Sequence, residues 1–319
     1  MKEIGGYIEL EHFSGSLYHD SAIALNCGRG CLRYLVEARQ ITSIWIPFFL
    51  CDSVQDTLEK CHVEVKKYRV SPDFQPVFDF AIKKSDYLYL VDYYGQLTDE
   101  TVERARGIMQ ERVIVDETQN FFARPRLGID TLYTTRKYFG VPDGGFLYTD
   151  AAALEGLEQD ESRQRVEHLI GRLECNASSF YSEARANNEI FATHPARFMS
   201  EFTKNILRAI DFNMVIEKRN ANYDILDASL RETNDLSTTR CQGPFAYPLL
   251  VKDGPSIRKK LAEQKIYIPT LWPNVAQDDC GFEEVSYARN ILPLPVDQRY
   301  GKEEMLYIID ALRQKGIGQ

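Results

Sequence analysis

Nowhere in its 319 residues does this chain hold an apolar run of about 18 residues, the length that would read as a membrane-spanning helix. The opening stretch, Met1-Lys2-Glu3-Ile4-Gly5-Gly6, lacks the apolar core of an export signal. Seven cysteines, at positions 27, 31, 51, 61, 175, 241 and 280, form no CxxC pair and no zinc-type grouping. Their odd number and the missing signal lead us to expect reduced thiols, a cytoplasmic setting and no bound metal. Positive charge is also short. A formal net charge of −9 argues against a face for DNA, RNA or another polyanion. It leaves room for a small phosphorylated ligand, because a local pocket can be positive on an acidic protein. There is no internal repeat and no low-complexity linker.

What is present is ordinary globular material. Hydrophobic residues at 44% and charged ones at 27% suit a chain long enough for one large domain and a smaller one. The first half alternates between two patterns. Strand-like stretches fall at 21–26, Ile44 to Pro47, Val63 to Tyr68, Tyr87 to Val91 and Val113 to Val115. Helix-like ones fall at Cys31 to Ala38, Cys51 to Lys60 and Asp99 to Met109. Such alternation predicts an α/β fold with a mainly parallel sheet flanked by helices, and ligands beyond the carboxyl ends of its strands. Residues 151–235 read as helix-rich, with helical character at Phe198 to Phe202 and from Val215 to Leu230. Strand pieces return at Tyr247 to Val251 and Ile266 to Pro269, with helices at Ser256 to Gln264 and Lys302 to Arg313. We therefore expect a large domain over 1–215, its 151–215 part helical, and a small α+β domain over 216–319.

The chemistry-bearing residues lie just after predicted strands. Lys137 stands in Thr134-Thr135-Arg136-Lys137-Tyr138-Phe139-Gly140-Val141-Pro142-Asp143-Gly144-Gly145, and Asp116-Glu117-Thr118-Gln119 closes an apolar run 21 residues upstream. A lysine forms an imine with an aldehyde cofactor, and a strand-end aspartate keeps a pyridine nitrogen protonated so that the ring withdraws electrons. Together they suggest pyridoxal 5′-phosphate (PLP). Gly28-Arg29-Gly30 would open a helix whose amides and dipole make a phosphate cradle. Each has a plainer reading: a surface lysine, a capping aspartate and an ordinary turn.

In order along the chain, these segments resemble the DegT/StrS family of PLP-dependent sugar aminotransferases, of the aspartate aminotransferase fold type (fold type I). Cys27 to Leu32 falls at the family's phosphate turn, Ile44 to Pro47 at its strand ending in proline, and Tyr93-Tyr94-Gly95-Gln96 at a His-x-x-Gly-Gln segment. Val113 to Gln119 falls at its Glu-Asp-x-x-Gln stretch, Lys137 with Gly144-Gly145 at its lysine and Gly-Gly, and Leu292-Pro293-Leu294-Pro295 at its Leu-x-Leu-Pro signature. The resemblance covers residues 20–313. It implies a seven-stranded, mainly parallel sheet, a homodimer, and ping-pong transfer of an amino group from an amino acid to a keto sugar, nucleotide-linked in the family's manner. It makes Lys137 and Asp116 catalytic, and Gly28, Arg29, Gly30, Gln119 and Thr134 cofactor ligands. Thr134 would replace a family serine whose position Leu132 holds here. Tyr93 and Tyr94, one inward and one outward, Trp272 and Arg197 would be substrate-side residues. Arg29 stands where the family has threonine, and Ala196 where a partner asparagine is usual. Those departures leave open a PLP enzyme of another reaction type on an amino acid, and a non-catalytic binding or regulatory module.

Overall fold

The computed structural model of the chain describes residues 4–278 and 280–318. Its first part runs β1 (Ile23–Leu25), α1 (Gly28–Ala38), β2 (Ser43–Pro47), α2 (Asp52–Lys60), β3 (Glu64–Tyr68), β4 (Tyr87–Val91), α3 (Asp99–Met109), β5 (Val113–Asp116), β6 (Asp130–Thr134) and β7 (Gly145–Tyr148). These strands form one seven-stranded sheet in the order β1-β7-β6-β5-β4-β2-β3. From β3 across to β6 every neighbouring pair is parallel, and β7 runs antiparallel to both β6 and β1. Continuous apolar strands are what a sheet covered on both faces requires, and every residue of β5 and β6 is buried. The carboxyl ends of β4, β5 and β6 therefore lie side by side at one edge.

Local signals set the helix starts. The Cys27 thiol accepts the Gly30 amide at 3.2 Å and caps α1. A side chain at Gly30 would sit 2.0 Å from Asn26 Oδ1, so this first turn needs glycine. Thr98 caps α3 through the Thr101 amide at 3.2 Å, with Asp99 and Glu100 in the first turn, where the helix dipole favours negative charge.

The second part holds α4 (Glu167–Glu174), α5 (Tyr181–Ile190), α6 (Glu201–Arg208), α7 (Phe212–Leu230), β8 (Ala246–Leu250), α8 (Gly254–Glu263), α9 (Pro273–Ala276), α10 (Glu283–Asn290), β9 (Ile291–Pro295) and α11 (Lys302–Arg313). Strands β8 and β9 pair antiparallel. Helix α7 joins two cores: Val215 and Ile216 pack with Phe121, Tyr138 and Phe139, whereas Tyr223, Leu226 and Leu230 pack with β8, β9 and α11. Two expectations need correction. Phe198 is not helical; its amide bonds Glu158 O at 2.9 Å, and α6 begins only at Glu201 because Ser200 caps it through the Thr203 amide. Nor is Ile266 to Pro269 a strand. Lys265 takes a positive φ of 62°, and the Ile266 amide returns to Leu261 O at 2.9 Å, which is the closing turn of α8.

His19 pins the segment before β1 to an aromatic cluster. Its ring lies 4.0 Å from that of Tyr133, Nε2 donates to Phe121 O at 2.8 Å, and Nδ1 accepts from the Tyr148 hydroxyl at 3.2 Å. Burial pushes its pKa from 6.5 down to about 4, against a smaller opposing effect of the Phe121 carbonyl. The unfolded chain thus takes up a proton near pH 6.5 that the folded chain resists until about pH 4. Stability should be full above the first value and fall across that window by on the order of 3 kcal/mol. Urea unfolding of the wild type and His19→Gln at pH 7, 5.5 and 4.5 measures this. The variant should show the shallower decline, and parallel declines would exclude His19 as the titrating group.

Candidate cofactor site

At the end of β5 the buried Asp116 carboxylate has two donors. Tyr89, from the neighbouring strand β4, donates its hydroxyl to Oδ2 at 2.7 Å, and the Thr118 amide donates to Oδ1 at 2.8 Å. The second bond is a turn that the aspartate builds on its own backbone. Burial, and then the Asp116 charge, hold the Tyr89 phenol well above its usual range, so it stays a donor. Lys137 is exposed on the loop after β6. Its Nζ donates to Thr118 Oγ1 at 3.0 Å and lies 5.7 Å from the centre of the Phe245 ring. A Cβ at Gly28 would meet Thr118 Cγ2 at 3.7 Å, so the first turn of α1 also opens beside Thr118. The amine, the carboxylate and the helix start meet around this one threonine.

The lysine loop is held firmly. Thr135 donates its hydroxyl to Asp143 O at 2.9 Å and Gly144 O at 3.0 Å. Gly144 has φ 115°, and a Cβ there would lie 2.3 Å from Thr135 Oγ1. A Cβ on Gly145 would fall 2.7 Å from the Cys27 carbonyl carbon, so the loop presses directly on the cap of α1. The buried Asp143 carboxylate accepts from the Ser200 amide at 2.8 Å and hydroxyl at 2.7 Å, tying the loop to the start of α6.

The remaining candidates scatter. Thr134 is buried, and its hydroxyl proton points to Gly144 O at 3.4 Å. Gln119 Oε1 accepts the Tyr94 amide at 3.0 Å. Arg29 extends to Asn188 on α5, and Arg197 pairs with Glu158 at 2.9 Å. Trp272 is buried against Phe49, ring centres 4.1 Å apart. The outward-facing tyrosine does not exist: Tyr93 and Tyr94 are both buried. Strand alternation fails there because Tyr93–Gly95 is a 3₁₀ turn in which Tyr94 takes φ 54°. Tyr93 donates its hydroxyl to the Phe49 carbonyl, and Tyr94 Oη finds no partner among the described residues. Thr118 and Tyr89 went unremarked in the sequence reading. The Asp-x-Thr spacing of a side-chain-built turn could have flagged the first, and alternation along β4 the second.

An amine, a buried strand-end carboxylate and a glycine-opened helix start gathered at one residue fit the three ends of PLP. No helix among the described residues is long and apolar enough to cross a membrane. No family model matches the chain, and no curated protein matches it by sequence. Solved structures do match in shape. Spr1654 from Streptococcus pneumoniae, in its PLP form, superposes with TM-score 0.67 at 12% identity, over 92% of this chain and 86% of that one. The sugar aminotransferase CalS13 from Micromonospora echinospora gives TM-score 0.64 at 15% identity, over 92% and 87%. DesI, solved in the presence of its TDP-sugar product, gives 0.65 at 13%, over 92% and 80%. The chain has the fold of these proteins, the fold type I arrangement.

Gln119→Ala should leave the buried Tyr94 amide without an acceptor and lower stability by about 1–3 kcal/mol in urea titration. A loss under about 0.5 kcal/mol would show that another group holds this turn.

Proposed function

We propose that this chain is a PLP-dependent aminotransferase that passes an amino group from an amino acid to a keto sugar, nucleotide-linked, in two half-reactions. The observation carrying the proposal is the shared contact of Lys137 and Asp116 with Thr118. Bound PLP would supply an aldehyde carbon and a ring able to take up the electron pair left by a departing proton. Lys137 Nζ would be the amine that attaches it and, once displaced by the donor, the base that carries a proton from one carbon to the other. Thr118 Oγ1, which accepts from that amine at 3.0 Å, would orient it for attachment. Asp116, with a negative charge supported by Tyr89 and the Thr118 amide, would hold the ring-nitrogen proton. The start of α1 would take the phosphate.

A sugar acceptor is supported by the likeness to CalS13, and a nucleotide linkage by the TDP-sugar product of DesI. A homodimer is supported by the exposed position of Lys137, which calls for a second wall over the site. It is supported also by an apolar N-terminal arm in which Ile4, Tyr7 and Ile8 are each at least 90% exposed.

The purified protein mixed with PLP should show a visible absorption band that borohydride fixes covalently at residue 137 and that glutamate or another amino donor bleaches. Lys137→Ala should abolish the fixed adduct. An adduct formed equally well on that variant would refute the assignment, and a band that no amino donor bleaches would refute amino transfer. Asp116→Asn should retain the band and slow bleaching ~100-fold, since a neutral amide cannot hold the ring charged. In sedimentation the active species should be a dimer.

A further inference from the structure

Two carboxyls meet in the core beside the Asp116 turn. Asp92 follows β4, Glu117 follows β5, and both are buried. Asp92 is well supplied with donors: Oδ1 accepts the Leu97 amide at 2.7 Å, and Oδ2 accepts the Asn120 side-chain amide at 2.8 Å. Glu117 is not. Its Oε1 takes Arg126 Nη1 at 2.5 Å, but Oε2 is buried and no donor reaches it among the described residues. The side chain within hydrogen-bonding reach of this carboxyl is that of Asp92, which when ionised is only an acceptor. Arg126 serves both acids and also the exposed Asp99, at 3.2 Å.

A plain ion pair with Arg126 accounts for Oε1 alone. Were both acids ionised, two buried negative charges would share one cation, and Oε2 would face a like charge. A proton on Glu117 removes both difficulties, since its O–H donates to Asp92 and leaves one negative charge against one positive. The groups that face the pair from other elements are the Tyr133 phenol of β6, the Tyr138 phenol of the lysine loop and the Cys241 thiol before β8. Burial, and then the Asp92 charge, push that thiol up to about 12, so it stays neutral. Burial first, then Asp92, raise the Glu117 pKa well above its usual range. Burial raises Asp92 too, against the hydrogen bonds it accepts.

The pair also braces the turn that presents Thr118. The Asp92 amide donates to Asp116 O at 3.0 Å, the Glu117 amide to Leu132 O at 2.9 Å, and the Asn120 amide to Glu117 O at 2.9 Å. The Asn120 side chain then returns to Asp92. Thr118, which takes the Lys137 amine, lies within this brace.

We propose that Glu117 is protonated in the folded protein and donates that proton to Asp92, and that this bond positions the turn from Asp116 to Thr118 for Lys137. Glu117 is then a positioning residue, acting on the amine through Thr118. Its effect on cofactor capture rests on the aminotransferase reading; the shared proton does not. The sign of the pH dependence follows. The unfolded side chain ionises near pH 4.5 and the folded one well above it. The stability this bond contributes is full below the first value and is lost as pH rises toward the second.

Urea unfolding of the wild type and Glu117→Gln at pH 5, 6 and 7 counts the proton. Glutamine can donate to Asp92 and accept from Arg126 as the acid does, without titrating. The unfolding equilibrium constant of the wild type should therefore climb ~10-fold per pH unit relative to the variant's, while His19 cancels because it titrates in both. Equal slopes would mean an ionised Glu117 and overturn the proposal. In the infrared, the wild type at pH 7 should show a protonated-carboxyl stretch that Asp92→Asn removes, because an amide at position 92 can donate to Glu117 and let it ionise against Arg126. A wild-type spectrum without that stretch, or one that Asp92→Asn leaves unchanged, would overturn the proposal whether or not the glutamine variant folds. Positioning is read by absorbance titration with PLP at pH 7. Glu117→Ala should weaken capture at residue 137 at least ~10-fold, and Glu117→Gln should restore it to within ~3-fold of the wild type. Should the alanine variant fail to fold, Glu117→Asp, one methylene shorter, takes its place. Capture as tight as the wild type's in the alanine or aspartate variant would overturn the positioning role. If no band forms with any variant or the wild type, the aminotransferase reading fails and the proton count still decides this one.

Discussion

Thr118 accepts a hydrogen bond from the Lys137 amine with its hydroxyl and gives its amide proton to Asp116. An amine and a carboxylate are thereby held on a single residue. Asp116 ends a strand whose every residue is buried, so its carboxylate has little freedom. It bends the next two residues back onto itself, and that bend places the threonine under the lysine. The carboxylate thus acts twice, once as a charge and once as the builder of the turn that presents the amine's partner. Little else in the site has meaning without this contact.

The lysine loop depends on a second set of constraints. Gly144 takes a backbone conformation that side chains rarely adopt, and Thr135 fills the space where its Cβ would be. Gly145 presses on the cap of α1, and Asp143 ties the loop to the start of α6. Lys137, the start of α1 and the start of α6 are therefore tied together through one loop. Rigid support of this kind lets a site on loops keep its geometry.

The charges run against the bulk composition. An acidic chain collects Arg29, Arg33 and Arg136 around the start of one helix, where among the described residues they meet carbonyls and a side-chain amide but pair with no carboxylate. Just beyond β5, burial and the neighbouring Asp92 keep the Glu117 carboxyl well above its usual range, with Arg126 at 2.5 Å. Net charge describes the whole surface, whereas a pocket answers to its nearest charges.

Short-range features are legible along the chain. Apolar runs locate β4 and β5, a carboxylate at the end of a run marks Asp116, and two glycines mark the opening of α1. Lys137 stands out through the glycines that follow it. Side-chain direction is not legible in this way. Tyr94 looks like an alternating strand residue until a tight turn buries it, and Arg29 looks like a phosphate ligand by position while its guanidinium lies against α5. Sequence alone located β2 to β5 and α1 to α3 to within a few residues, because periodicity, capping and turn chemistry act over such short distances. Only the tertiary structure decided that Arg29 and Arg136 share an amide oxygen 159 and 52 residues away, because that meeting depends on how α5 packs across the start of α1.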